Sequence, residues 1–226
     1  MLHLVLKLRT HNNNFFLKRV LLIALLIVIL DQVIKIYVKT TMTIGQDGLD
    51  MWLMKIHFVE NNGMAFGTEL NFPYGKLLLG LLRIAAITAI FIYIKKLLTR
   101  KAPVGLLIAV GCVLAGAIGN VIDGAFYGMI FSESNYFDVA QSFPPDGGYS
   151  SFMHGEVVDM FQFTIAFPDW FPFWGGKQVF PFIFNLADAA ISIGVITILV
   201  GYRKYFKAPP TISEEVVHEE ISSEEE

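Results

Sequence analysis

Four runs of the chain reach the roughly 20 mostly apolar residues that a bilayer crossing needs. They lie at about Lys18 to Val38, Gly75 to Leu98, Pro103 to Asp123 and Phe182 to Tyr202. The pattern predicts a transmembrane helix over each. A signal peptide is the alternative for the first run, but it is long and no small-residue cleavage site closes it. Basic residues sit between the runs in a regular way. Lys7, Arg9, Lys18 and Arg19 precede or open the first, Lys95, Lys96, Arg100 and Lys101 join the second to the third, and Arg203, Lys204 and Lys207 follow the fourth. The stretches 41–74 and 124–181 carry few bases and several acids. Lys and Arg favour the cytoplasmic side, so both termini are expected inside and both long loops outside.

The outer loops are too aromatic to be plain linkers. Met51 to Gly67 mixes apolar, aromatic and β-branched residues before reaching Asn-Asn-Gly, and reads as a strand and turn. Trp52 and the stretch Trp170 to Trp174 suit a membrane–water interface. The expected architecture is an all-α membrane protein of four transmembrane helices, N-in and C-in, with a small extracytoplasmic β-sheet cradle and an outer loop. Ser132 to Ser151 is polar and contains Gly and Pro, and is expected to be an inserted flexible loop. Residues 1–205 form one domain, and residues 206–226 an acidic, disordered cytoplasmic tail.

Composition supports the membrane reading. The chain is 54% hydrophobic and 16% charged, against about 45–50% and about 25% in soluble domains. Its net charge of -3 arises from acids gathered in SEEVVHEEISSEEE at the C-terminus, and no basic face suggests nucleic acid. The single cysteine, Cys112, excludes an intramolecular disulfide and a multi-cysteine metal site.

A charge at the bilayer centre costs about 2.5–3.5 kcal/mol on insertion scales, so polar residues within the runs are candidates for function. They are Asp31, Lys35, Arg83, Asn120, Asp123, Asn185 and Asp188, joined by Asp159 in the apolar stretch HGEVVDMFQF. Asp31 and Lys35 have the spacing of a salt bridge on one helix face and read as structural. Asn120 and Asn185 suit interhelical hydrogen bonds. Asp123 is open between a helix-end residue and a functional one. Asp159 and Asp188 have no basic residue within a helical turn and lie among apolar neighbours, which favours function. Two adjacent carboxylates share a proton, so the ionised one can activate water while the protonated one polarises a carbonyl. Such a pair hydrolyses a peptide with no metal and no cofactor. HExxH and GxSxG motifs are absent, and His154, Glu156 and Asp159 are poorly spaced to converge on a metal. A proton-coupled transporter or an assembly scaffold would also place acids in membrane helices, but a transporter would be expected to show repeated halves and midplane sites.

Five stretches carry a resemblance: DQVIK (Asp31 to Lys35), VENNGMAFG (Val59 to Gly67), GAIGNVID (Gly116 to Asp123), GEVVDMF (Gly155 to Phe161) and FNLADAAISIG (Phe184 to Gly194). In this order, across residues 15–205, the chain resembles the lipoprotein signal peptidases (signal peptidase II), intramembrane aspartic peptidases of bacteria. The resemblance implies that Asp159 and Asp188 are catalytic. It implies that Asn61 and Gly63 lie near substrate, that Asn120, Asp123 and Asn185 orient it, and that Asp31 and Lys35 are structural. It also implies a diacylglyceryl-modified prolipoprotein substrate cut before its lipidated cysteine, contact with membrane lipid, and a monomer in the bacterial inner membrane. One departure is Gly124, where the family usually has arginine. Arg83, otherwise placed with the structural residues, is expected to supply a cation there. A second departure is the insertion from Phe131 to Met153, expected to extend the outer loop as a lid.

Overall fold

The computed structural model describes residues 2–61 and 75–206, with 2–14 and 206 as backbone only. Gly63 and the acidic tail beyond 206 lie outside the described residues. Among these, three helices are long and apolar enough to cross a membrane: α1 (Leu2–Thr41), α2 (Gly75–Thr99) and α3 (Val104–Ile122) with its continuation. The third does not stop at Asp123 as expected. It runs on through a π-helical turn (Asp123–Tyr127) into a short α4 (Gly128–Ile130). The fourth apolar run splits differently from its expectation. Ile183–Phe184 form a strand, β4, and α5 (Leu186–Val200) follows with only 15 residues. At 1.5 Å per residue that is about 22 Å, against about 30 Å of hydrocarbon. After Gly201 the chain enters α6 (Tyr202–Phe206).

Helix α3 is the centre of the bundle. Its N-terminal half joins α1 and α2 in an apolar core of Val20, Ile94, Leu97, Leu98, Leu106, Leu107, Val110 and Leu114. Its C-terminal half lies against the start of α5, and glycines set that approach. A Cβ on Gly116 would stand 2.2 Å from the Ala187 carbonyl oxygen, and one on Gly119 would stand 3.0 Å from Ala187 Cβ. Small residues let helix backbones come this close. The faces turned away from the core stay apolar and exposed, including Leu22, Leu25, Leu26, Ile29 and Leu30 on α1 and Ile196 and Leu199 on α5.

The sheet completes the fold. β1 (Asp47–Asp50), β2 (Met54–Asn61), β3 (Val157–Phe163) and β4 run antiparallel in the order β1-β2-β3-β4. The strand expected within Met51 to Gly67 is β2. Side chains alternate across a strand: Val158 and Met160 on β3 enter a core with Val38, Met42, Phe58, Tyr127 and Phe131, which leaves Asp159 between them on the opposite face.

The insertion is a hydrogen-bonded layer rather than the flexible loop its composition suggests. Tyr149 N–H donates to the Phe131 carbonyl, Ser150 N–H to Gly128, Met153 N–H to Ala125 and Gly155 N–H to Gly124. Lys39, fully buried near the end of α1, clamps it from below. The Lys39 ammonium pairs with Glu60 and donates to Ser134 Oγ at 2.7 Å, and it lies 5.0 Å from the centre of the Tyr149 ring. Beyond β3, an Ala166–Gln178 bridge closes an aromatic loop that leaves Trp170 and Phe173 78% and 92% exposed.

Candidate active site

The ladder between β3 and β4 assembles the polar residues. Phe161 pairs with Phe184, so the chain leaves β4 at Asn185, level with the middle of β3. Asn185 is the N-cap of α5 and Asp188 is its N3 residue. The Asn185 side-chain oxygen Oδ1 accepts from Asp188 N–H at 2.9 Å, and Asp188 Oδ2 accepts from Asn185 N–H at 3.2 Å, forming a capping box. Asp188 therefore has a local structural partner that its sequence neighbourhood did not suggest. A helix N-terminus also favours negative charge there.

One amide group holds the two aspartates in relation. Asn185 Nδ2 donates to Asp159 Oδ1 at 2.7 Å and to Asn120 Oδ1 at 3.0 Å. Asn120 Nδ2 in turn donates to Asp188 Oδ1 at 2.8 Å. Asn61 Nδ2 reaches Asp159 Oδ2 at 3.3 Å from the end of β2. Asp159 is 3% exposed, and Asp188 is half-buried beside it. Burial, and next the charge of Asp188, push the Asp159 carboxyl up to about 7.

A second polar layer lies beneath. Lys35, fully buried, reaches Asp123 at 2.8 Å, Asp31 at 3.0 Å and the side-chain oxygen Oδ1 of Asn120 at 2.9 Å. Asp31 Oδ1 accepts from Ala187 N–H at 2.9 Å, tying α1 to the start of α5. Asp123 Oδ2 accepts from Val158 N–H at 3.3 Å, tying the π-helical turn to β3 next to Asp159. Gln32, not singled out in the sequence, donates to Asp123 Oδ1 at 2.8 Å and to the Gly119 carbonyl, and accepts from Tyr127 Oη. It is a polar residue inside an apolar run, the same signal that picked out Asp31.

Arg83 lies in the same layer, half-buried on α2. A Cβ on Gly124 would have Arg83 Nη1 as its first neighbour, at 3.9 Å. His154, Glu156 and Asp159 do not converge: His154 Nδ1 lies against the Phe152 carbonyl, Glu156 faces Lys76, and Asp159 faces the asparagines. The structure thus brings Asp31, Lys35, Asn61, Asn120, Asp123, Asp159, Asn185 and Asp188 into one network, with Arg83 at its edge. Chemically this is a carboxylate pair with one raised pKa, oriented by amides and facing a bundle of apolar helices.

Known proteins show the same arrangement of sequence and fold. The family model described as Signal peptidase (SPase) II matches residues 23–203. A lipoprotein signal peptidase of Porphyromonas gingivalis is 47% identical over 193 residues, covering 83% of this chain and 84% of the relative. One from Amoebophilus asiaticus is 37% identical over 197 residues, covering 83% and 78%. A bacterial membrane enzyme solved by the in meso method at 2.3 Å resolution superposes with a TM-score of 0.57 at 25% identity, covering 86% of this chain and 94% of that one. A family match over residues 23–203, with a 47% identical relative across most of the length, places this chain in the signal peptidase II family.

Proposed function

We propose that Asp159 and Asp188 are the catalytic pair with which this signal peptidase removes the signal peptide from prolipoproteins. The family's activity is hydrolysis of one peptide bond, and the aspartic type is supported by the carboxylates tied through Asn185 and Asn120. In this reading the buried Asp159 holds the pair's proton and polarises the scissile carbonyl. Asp188, at the helix N-terminus, takes a proton from the attacking water. The proton belongs to the pair, and the two carboxyl groups exchange it during the cycle. Asn61, Asn120 and Asn185 fix the carboxylates, while Asp31, Lys35 and Asp123 hold α1, α3, α5 and β3 in register. Gly63, two residues past Asn61, is proposed to lie near substrate on the family pattern.

The substrate is read as a diacylglyceryl-modified prolipoprotein cut before its lipidated cysteine, its lipid in the outer leaflet. A peptide must be extended to be cut, because a helix keeps its carbonyls in internal bonds; an edge of the small sheet can hold it so by strand addition. The proposed topology has four crossings with both termini in the cytoplasm, supported by the basic residues flanking the runs. The short α5 completes the fourth crossing together with β4 and α6. The enzyme is read as a monomer of the bacterial inner membrane, with its active site near the outer face. The exposed aromatic loop at 166–178 suits that interface.

The observation that carries the mechanism is the shared amide network at Asp159 and Asp188. Asp159→Asn and Asp188→Asn, made separately, test it. Each is expected to lose cleavage of a lipidated prolipoprotein by about 1,000-fold or more while still inserting in the membrane. Retained cleavage in either would remove that residue from the mechanism.

A further inference from the structure

Lys39 is a buried charge that the mechanism leaves unused. It lies one turn past Lys35 on α1, and its side chain is fully buried. An ammonium taken out of water needs partners, and it finds them in two segments. β2 supplies the Glu60 carboxylate, itself only 4% exposed. The insertion supplies Ser134 Oγ at 2.7 Å and the rings of Tyr149 and Phe131, whose centres are 5.0 and 5.6 Å away. Tyr149 then reaches the third segment, where its Oη accepts from Glu156 N–H at 2.7 Å. The insertion is thus bonded to β2 one residue before its end, and to the residue that precedes β3.

At these positions the two strands bring Asn61 to Asp159. Glu60 stands opposite Val158, and Asn61 opposite Val157. Opposed residues share a face of the sheet, and successive residues alternate. Glu60 therefore shares the core face with Val158, toward Lys39, and Asn61 shares the other face with Val157 and Asp159. Asn61 Nδ2 is 3.3 Å from Asp159 Oδ2, near the long end of hydrogen-bond reach. A small slide of β2 decides whether that bond is made. Apolar packing is non-directional, whereas the ion pair and its hydrogen bonds have preferred geometry and pin the strand end.

We propose that the insertion, residues 131–153, is a positioning element for the active site: with Lys39 as its buried anchor and Tyr149 as its link to β3, it sets the approach of Asn61 to Asp159. The inference rests on the reading of Asp159 as catalytic. Lys39 is a positioning residue, acting through Glu60 and then Asn61. The insertion is in this role a fixed brace rather than a moving lid. The charged groups that face Asp159 are Asp188 from α5, Lys35 from α1 and Arg83 from α2, with Asp123 bonded to the neighbouring Val158 N–H.

The test uses purified full-length enzyme and a lipidated prolipoprotein, and leaves those four groups in place. Across pH, kcat and KM are measured for wild type, K39M/E60L, Asn61→Ala and the triple variant. Removing the cation and the anion together keeps the net charge near Asp159, and apolar replacement of a buried ion pair is often neutral for stability. K39M/E60L is expected to keep its unfolding midpoint and its KM while losing about ten-fold in kcat, the size of one hydrogen bond to a charged group. The limb of its pH profile set by Asp159 is expected to move up by about half a unit, as in Asn61→Ala, because the Asn61 amide favours the ionised carboxyl. In the Asn61→Ala background the pair's removal is expected to change kcat and the limb much less. Wild-type kcat in K39M/E60L would overturn the proposal, as would an unmoved limb or an equal loss of kcat in the Asn61→Ala background. If K39M/E60L does not accumulate, Tyr149→Phe decides, since it keeps the ring beside Lys39 and removes the acceptor of Glu156 N–H. A loss of about three-fold or more in kcat that shrinks in the Asn61→Ala background supports the proposal. Wild-type kcat, or an equal loss in both backgrounds, overturns it. Failure of the Asp159 reading is separately visible, as retained cleavage in Asp159→Asn with Lys39, Glu60 and Tyr149 intact.

Discussion

The Asn185 side-chain amide donates to Asp159 Oδ1 at 2.7 Å while its carbonyl oxygen caps α5. One buried side chain therefore both starts the helix that carries Asp188 and orients the carboxyl of Asp159. These two jobs can be separated. Asn185→Ser keeps an oxygen that can cap the helix but loses the amide. It is expected to lower kcat by about 100-fold while destabilising the protein by about 1–2 kcal/mol. Asn185→Ala should cost about 1 kcal/mol more through the lost cap. Turnover and thermal unfolding of both variants in detergent check this. Equal stability of the two would contradict the capping role.

Lys35 supports three acceptors from two helices, all within 3.0 Å. Lys35→Met leaves Asp31 and Asp123 buried and unpaired, and is expected to destabilise the protein by about 3–5 kcal/mol. The measurement is the unfolding midpoint together with the yield of membrane-inserted protein. A variant as stable as wild type would mean that these carboxylates are neutral in the folded protein.

The contact of α3 with α5 is set by backbone on backbone. Gly116→Ala places a methyl 2.2 Å from the Ala187 carbonyl oxygen, one residue before Asp188. The helices must separate, at a cost of about 1–3 kcal/mol, and Asp188 moves with α5. Cleavage is expected to fall by more than the loss of stability explains. Activity per folded molecule, compared between Gly116→Ala and wild type, tests this.

Asp159 also makes stability depend on pH. Its carboxyl is pushed from an ordinary value of 3.8 up to about 7 in the folded protein. Between these values the native state binds more protons than the unfolded one, so this group's contribution is lost as pH rises through the folded pKa. Going from pH 5 to pH 8, wild type is expected to lose on the order of 2–3 kcal/mol relative to Asp159→Asn. Unfolding midpoints of the two proteins at both pH values check the sign. A difference that stays constant with pH would refute it.

What could be read from the sequence divides along physical lines. The long runs at α1, α2 and α3 were visible because a bilayer crossing imposes a length that few other structures need. Most of the site was visible because polar residues are expensive within such runs, and Asp31, Lys35, Asn120, Asp123, Asn185 and Asp188 do lie in one layer. The start of the fourth run was not, since a short apolar stretch reads alike as strand or helix. Only its pairing with β3 turns Ile183–Phe184 into β4. The order of the insertion was hidden too. It rests on backbone hydrogen bonds to Gly124, Ala125, Gly128 and Phe131 and on a buried lysine, Lys39, whose partner Glu60 is 21 positions away. The capping box of Asn185 with Asp188 was hidden as well, because the helix was expected to start at about Phe182 and it starts at Leu186. Gln32 was hidden beside the more conspicuous Asp31.

The central claim is one proton shared by Asp159 and Asp188, and titration of the carboxyl groups tests it most directly. Infrared difference spectra of the carboxylic acid band, followed across pH in wild type and in Asp188→Asn, report it. The prediction is a protonated carboxyl that disappears at a pH of about 7 in wild type and at a lower pH once the Asp188 charge is removed. A band that vanishes at the same pH in both proteins, or an Asp159 that titrates at an ordinary value of about 4, would contradict the shared proton and the mechanism built on it.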